Sequence, residues 1–327
     1  MAPTTPSPLQ GSKPASRLVY LLKVLAAGGA FTGLVYFSDT SALVAAVKEA
    51  DYRFVAAGSA IFLYGQYLAA QRWRGVLASG ELGVSRFEAF RLNLVGTFIG
   101  NFLPGQGSGD LVKSAFLFGR FPGRRAFLLA SVVYDRLLGL SAMLTLAVAG
   151  IFLLGAVASD WSLLLTAGWM LGGVVALAAV LALFHRLQPF GNFFRDRLGT
   201  RFAGLSGEIA ELFGDRRLFA RSFALSMIFQ LSWALSLWMM LRAVRDAIPL
   251  LPVLLAAPLS VLIASVPISL GGLGVREGAF SLLMQRFGIS ADVATAGALL
   301  SLVPLLFASF LGAGLASKRY ARQGQAT

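Results

Sequence analysis

Apolar residues run through this chain in long blocks, separated by basic or glycine-rich segments. The first block spans 18–37 and the second runs from Phe54 to Ala70. Residues 87–125 are apolar but interrupted by Gly96, Gly100, Pro104, Gly105, Gly107 and Gly109, with a second apolar piece at 111–119. Unbroken blocks follow at 126–154, 161–184 and 222–241. A second interrupted region, 247–287, contains Pro249, Pro252, Pro258, Pro267, Gly271, Gly272 and Gly274, and a last block covers about 293–316. A helix crossing a bilayer needs about 20 apolar residues, so each unbroken block predicts a span. The interrupted regions are too long and too broken for one span, and predict helix–loop–helix hairpins. Between 186 and 221, Phe190, Phe193, Phe194, Leu198, Phe202, Leu205, Ile209 and Leu212 recur at helical spacing, with Arg195, Arg197 and Arg201 among them. That pattern predicts an amphipathic helix lying along a membrane surface.

Composition agrees. The chain has 327 residues, 57% of them hydrophobic and 13% charged, against about 45–50% and about 25% in soluble domains. A soluble single-core protein is excluded, and an all-α polytopic membrane protein is expected. With no cysteine and only His185, the chain offers no thiolate chemistry and no multi-histidine metal site. No metal site and no cofactor are predicted, and His185, where an apolar block meets a basic loop, is read as interfacial. Residues 1–16, with Pro3, Pro6, Pro8 and Pro14, predict a disordered tail. The block after it is too long for a signal-peptide core and is read as an uncleaved first helix.

Charge sets the orientation. Lys and Arg number 28 against 15 Asp and Glu, a net +13. Bases gather near cytoplasmic ends of membrane helices. Placing the N-terminus inside puts Arg72, Arg74, Arg86 and Arg91 inside, just after the second span. Arg120, Arg124 and Arg125 then close the first hairpin on that same side. The 186–221 linker, with seven Arg against four acids, lies inside, as do Lys318, Arg319 and Arg322. The second hairpin starts and ends outside. Each half thus reads helix, helix, hairpin, helix, in opposite orientations: an inverted-topology repeat of about six full spans plus two re-entrant hairpins. The layout is a tail (1–16), a segment holding the first repeat and the start of the second (17–185), the linker (186–221) and the remainder (222–327). These make one membrane domain with both termini cytoplasmic. Two ordinary short helices in place of each hairpin is the rival arrangement. Dispersed base without a nucleic-acid-binding motif argues against DNA or RNA as partner.

Candidate chemistry sits in the hairpins. The first carries Asn101-Phe102-Leu103-Pro104-Gly105-Gln106-Gly107-Ser108-Gly109-Asp110-Leu111-Val112-Lys113. The second carries Pro267-Ile268-Ser269-Leu270-Gly271-Gly272-Leu273-Gly274-Val275-Arg276-Glu277-Gly278. Both read proline, clustered glycines, then a charge of each sign. Glycine permits sharp turns and close backbone approach, and irregular backbone at membrane depth survives only inside protein or beside a watery cavity. A helix restarting after each loop aims its N–H groups at the centre, which favours phosphate. Lys113 and Arg276 add full charge there, while Asn101, Ser108 and Ser269 offer neutral hydrogen bonds. The plainer reading is that Asp110 and Lys113 pair at i,i+3 and the glycines serve packing, as Gly29/Gly33, Gly168/Gly172 and Ala308/Gly312 are expected to. Asp135-Arg136 lies inside the 126–154 span. A charge at the bilayer centre costs at least about 2.5–3.5 kcal/mol, so the pair must face protein or a cavity. It is open to a functional and a purely structural reading alike.

The Pro-Gly-x-Gly-x-Gly-Asp motif with Lys113, the Asp135-Arg136 pair with Gly139, and the late Gly-Gly-Leu-Gly-Val-Arg-Glu-Gly resemble the flippase-like, lysylphosphatidylglycerol synthase transmembrane-region family. The resemblance runs from about 18 to 317. It implies a polytopic domain of the cell membrane that moves phospholipids or lipid-linked glycans. In two-domain relatives a soluble aminoacyltransferase domain follows. The sequence given shows none, so the resemblance implies translocation rather than synthase activity.

The function expected is translocation of a phosphate-bearing lipid head group between leaflets. Substrate contacts are expected from Asn101, Pro104, Gly107, Ser108, Gly109, Asp110, Lys113, Asp135, Arg136, Ser269, Gly271, Gly272, Gly274, Arg276 and Glu277. The alternatives are an embedded enzyme acting on a lipid phosphate or glycosyl carrier, for which Asp110, Asp135, Glu277 and serines are the available groups, or an accessory subunit of an envelope-lipid pathway. The partners expected are membrane lipids with anionic or phosphate-bearing heads, and a second copy of the chain or a lipid-biosynthesis enzyme.

Overall fold

A computed structural model of the chain describes residues 48–102, 108–158, 200–245, 247–264 and 274–323. The spans expected at 18–37 and 161–184, His185, the first part of the amphipathic linker, and Pro104, Gly107, Ser269, Gly271 and Gly272 lie outside them. The described residues form ten α-helices and no strand: α1 (Tyr52–Ser79), α2 (Arg86–Phe102), α3 (Ser108–Ala115), α4 (Arg125–Ala158), α5 (Thr200–Gly214), α6 (Arg216–Val244), α7 (Leu250–Ala264), α8 (Val275–Gln285), α9 (Ala291–Leu300) and α10 (Leu302–Gln323). Among the described residues three stretches are long and apolar enough to cross a membrane: Arg125–Phe152, Arg216–Val244 and Ala291–Leu315.

Several boundaries differ from the sequence expectation. The helix expected at 54–70 continues to Ser79, so Arg72 and Arg74 lie within it and not in a following loop. At 28 residues it is about 42 Å long. Yet it is not among the three apolar stretches. One face packs along α6 and buries Gln66 and Arg72, and a face lined by protein need not be uniformly apolar. Asp215 divides the linker helix from the span that follows. Its carboxylate accepts from Arg217 N–H at 2.9 Å and Leu218 N–H at 3.0 Å, capping α6, so this span begins six residues before Ser222. The last span is broken at Ser301, between α9 and α10.

Antiparallel packing of α1 against α6 forms the spine. Gly58 abuts Ser236 and Met240, while Gly65 abuts Ser232 and Phe229. At one end Asp51 N–H donates to Ala243 carbonyl oxygen at 2.8 Å. Around this pair, each half contributes a helix to the other. Gly312 of α10 lies against the backbone of Leu94 in α2, and Gly150 of α4 lies against Leu255 of α7. The packing role expected for Gly312 is therefore met.

The described parts of the 87–125 region pair as two helices. Helix α3 folds back along α2, with Gly109 seated on Gly96 and Gly100. Its base is tied on one side of the molecule: Arg120 meets Glu88 at 2.6 Å and donates to Gly83 carbonyl oxygen at 2.6 Å, and Arg124 donates to Gly80 carbonyl oxygen at 2.8 Å. The second interrupted region gives α7 and α8, which also pack on each other.

A Cβ at Gly109 would collide with the Gly96 carbonyl group. Backbone cannot yield as a side chain does, so Gly109→Val is expected to cost at least the roughly 1–3 kcal/mol of an overpacked core and to lower the thermal midpoint in detergent. Gly207→Ala, which points into open space, is the control and should leave the midpoint unchanged or raised.

Candidate functional site

Five ionic side chains from three helices form an alternating chain. Arg72 on α1 donates through Nε to Asp135 Oδ1 on α4 at 2.7 Å. The other Asp135 oxygen lies 3.6 Å from Lys113 Nζ on α3. Lys113 also meets Asp110 Oδ1 at 2.8 Å, one turn away on its own helix. Asp110 Oδ2 accepts from Arg136 Nε on α4 at 2.6 Å. The order is Arg72, Asp135, Lys113, Asp110, Arg136: cation, anion, cation, anion, cation. Adjacent residues on a helix point about 100° apart, so Asp135 turns toward Arg72 while Arg136 turns toward the hairpin.

Arg72, Lys113 and Asp135 are 6%, 2% and 5% exposed. A buried ion costs several kcal/mol in lost hydration and persists only when paired and hydrogen-bonded. Neutral groups complete the set. Arg72 Nη1 donates to Ser226 Oγ on α6 at 2.7 Å, and the Ser226 hydroxyl in turn donates to Ser222 carbonyl oxygen at 2.8 Å. Lys113 Nζ lies 4.8 Å from the centre of the Trp73 ring, a favourable cation–π position. Trp73 is itself fixed by an Nε1–H bond to Ser131 Oγ at 3.1 Å.

The ends of the chain differ. The Arg72 end is closed by Ser226. The Arg136 side chain is 35% exposed and borders a cleft of about 190 Å³ lined by Asn93, Gly96, Thr97, Gly100, Asn101, Gly109, Asp110 and Arg136. Asn93 is held by Gln66, donating to its side-chain oxygen at 2.8 Å. Asn101 donates to Ser309 of α10 at 2.8 Å. Ser108 opens α3. Three cations and two carboxylates leave one positive charge in surplus, and the open end lies at the cleft.

The second motif forms a cluster of its own. Gly274, at φ +78°, precedes α8, in the left-handed region that glycine tolerates. Glu277 accepts from Gly274 N–H at 2.8 Å and pairs with Arg276, whose guanidinium lies 5.1 Å from the Trp233 ring centre. A cavity of about 10 Å³ there, bordered by Ser260 and Ser301 among others, is about the size of one water. Among the described residues the two cavities share no lining residue. Asn101, Gly109, Asp110 and Arg136 therefore come together at one cleft, with Asp135 and Lys113 buried behind it and Arg276 and Glu277 elsewhere.

A family model for the lysylphosphatidylglycerol synthase TM region matches residues 20–312. The chain belongs to this family. No curated protein matches it. As a lysylphosphatidylglycerol synthase TM-region protein it is a membrane protein associated with lipid processing, and its apolar helices fit a multi-pass arrangement.

Sequence reasoning missed Arg72, Ser226, Trp73, Gln66, Asn93 and Thr97. Arg72 was assigned to the basic rim, yet the chain from Phe54 to Ser79 contains no proline. A helix continuing to Gly80 would have carried Arg72 inward beside Asp135.

Asp135→Asn removes the only carboxylate that Arg72 touches among the described residues. Stranding a buried cation costs about 3–5 kcal/mol, so a large fall in thermal midpoint is expected. In Arg72→Met/Asp135→Leu both charges go, and a double-mutant cycle should show the pair losing clearly less than the sum of the two single changes. Additive losses would mean that the two groups do not interact.

Proposed function

We propose that this lysylphosphatidylglycerol synthase TM-region protein is a lipid translocator of the cytoplasmic membrane, carrying a phosphate-bearing head group between leaflets without altering it covalently. The carrying observation is the ionic chain with one cation in surplus at its open end. A phosphate beside Arg136 completes the alternation, giving each terminal charge a partner, and a guanidinium matches phosphate geometry with paired donors. Lys113 is buried between two carboxylates. It positions Asp110 and Asp135, and Arg136 is the direct contact. Arg276 and Glu277 serve the same pathway from the other half.

The architecture suits this task. Two halves wound in opposite directions, each with an interrupted hairpin, are read as an inverted repeat of about six spans and two re-entrant hairpins. Rocking of such halves exposes a central site to each face in turn. Arg74, Arg86, Arg120, Arg124, Arg125, Arg216, Arg217 and Arg221 gather where α1 ends, the first hairpin is tied and α6 begins. That basic end is assigned to the cytoplasm. Acyl tails stay in lipid, beside exposed apolar residues such as Phe152, Phe307 and Phe310.

Arg136→Gln tests the reading in proteoliposomes with a fluorescent phospholipid. Loss of at least tenfold in translocation is expected. The thermal midpoint should change far less than in Asp135→Asn, because Arg136 is part-exposed. Arg276→Ala is likewise expected to abolish transport, with a fall in thermal midpoint as well, because it strands the buried Glu277 carboxylate. Normal translocation by both variants would sink the proposal, and covalent conversion of a polyprenyl phosphate by the purified protein would favour the enzyme reading instead.

A further inference from the structure

The last apolar stretch, Ala291–Leu315, is long enough to cross a membrane as one helix. It is two, α9 and α10, parted at Ser301. Pro304 supplies the reason. It stands in the first turn of α10, and its nitrogen carries no hydrogen to donate to the Leu300 carbonyl oxygen four residues back. A proline ring also crowds that carbonyl, so the backbone ladder opens here. Sharp bends in long helices gather at such points.

The two segments are fastened to different partners, each by the same two devices. On α9, Gly297 is seated on Leu241 of α6, so close that a Cβ would overlap that side chain. The Thr295 hydroxyl of α9 hydrogen-bonds with the Ser281 hydroxyl of α8 at 2.9 Å. Ala294 and Ala298 share an apolar cluster with Leu237 of α6 and Phe280 of α8. On α10, Gly312 is seated on the backbone of Leu94 in α2, and Ser309 accepts from Asn101 at the end of α2 at 2.8 Å. Leu305 and Ala308 cluster with Leu94 and with Phe62 of α1. Asn101 opens the first glycine-rich motif, and α8 carries Arg276 and Glu277 of the second. The broken span therefore ties the two motif-bearing elements together, with its opened backbone between the two anchorages.

We propose that Ser301–Pro304 is a hinge, at which α10 turns with α2 while α9 stays with α6 and α8. Its purpose rests on the translocator reading, because alternating exposure needs one half to move against the other. Its existence rests on the break and on the separate fastening of the two segments. A proline serving packing alone would leave α8 and α10 at one fixed separation.

The chain has no cysteine, so paired spin labels can be introduced without background. Leu282 on α8, Phe310 on α10 and Phe87 on α2 are exposed and serve as label sites. Double electron–electron resonance on the full chain in phospholipid nanodiscs should give a broad or two-peaked distance distribution for Leu282→Cys/Phe310→Cys. The Phe87→Cys/Phe310→Cys pair, on elements that move together, should give one narrow peak. Pro304→Ala restores the N–H and removes the ring. It should narrow the first distribution to one peak and cut translocation of a fluorescent phospholipid in proteoliposomes at least fivefold. Its thermal midpoint should be unchanged or raised. Pro304→Gly also restores the N–H but keeps the backbone pliable, and should retain clearly more translocation than the alanine variant. Equally narrow distributions for both pairs in a parent chain that translocates would overturn this inference alone, as would undiminished translocation by Pro304→Ala. A broad first distribution that Pro304→Ala narrows, in a chain that translocates nothing, would leave the hinge standing and overturn the translocator reading.

Discussion

A guanidinium buried in a helical membrane protein needs a carboxylate, and Arg72 has Asp135 at 2.7 Å. That requirement organises much of what surrounds it. Asp135 cannot be spared for the substrate, because without it Arg72 and Lys113 would be buried with insufficient counter-charge. Lys113 in turn draws Asp110 inward, which fixes the short helix α3 and leaves Arg136 as the end of the chain. Hairpin, central helix and span are thereby joined through ionic contacts that depend on one another. The energetic logic is that of a network whose members depend on one another. Three cations stand with two carboxylates, and the chain reaches the cleft where the Arg136 side chain is 35% exposed.

The two glycine-rich motifs behave differently. In the first, the charges reach across α1, α3 and α4 and end at an open cleft. In the second, Arg276 pairs with its neighbour Glu277, and Glu277 also holds the N–H of Gly274. That pair is neutral as a whole, closed, and beside a space about the size of one water. Similar motifs thus give an ionic chain that ends at a cleft in one place and a self-satisfied cap in the other. The glycines share a purpose in the first hairpin: Gly96 and Gly109 bring α2 and α3 so close that a Cβ at either would meet backbone. This closeness sets Asp110 and Lys113 at the depth of Asp135.

Much of the helical plan is legible in the residues, because apolar block length and charge placement answer to the bilayer. Glycine and proline in the interrupted region at 87–125 announced a break between two helices, and the i,i+3 spacing of Asp110 and Lys113 announced their contact. What stayed hidden depends on tertiary position. Arg72 looks like one more rim arginine beside Arg74. Only the continuation of α1 past Ala70, and its packing on α6, bring it to Asp135. Asn93, Thr97 and Gln66 are neutral residues within helices, and no local pattern separates a cleft-lining amide from a packing one. Lys113 and Arg136 balance Asp110 and Asp135, and Arg72 adds the surplus of one.

The most direct measurement is an experimental structure of the full chain in a nanodisc, at a resolution that places lipid phosphorus. The account predicts a phosphate within hydrogen-bonding distance of the Arg136 guanidinium, with the contacts from Arg72 to Asp135 and from Lys113 to Asp110 intact. A head group bound beside Arg276 and Glu277 with the first cleft empty would contradict it. So would a structure in which Arg72 points to solvent and Asp135 stands unpaired.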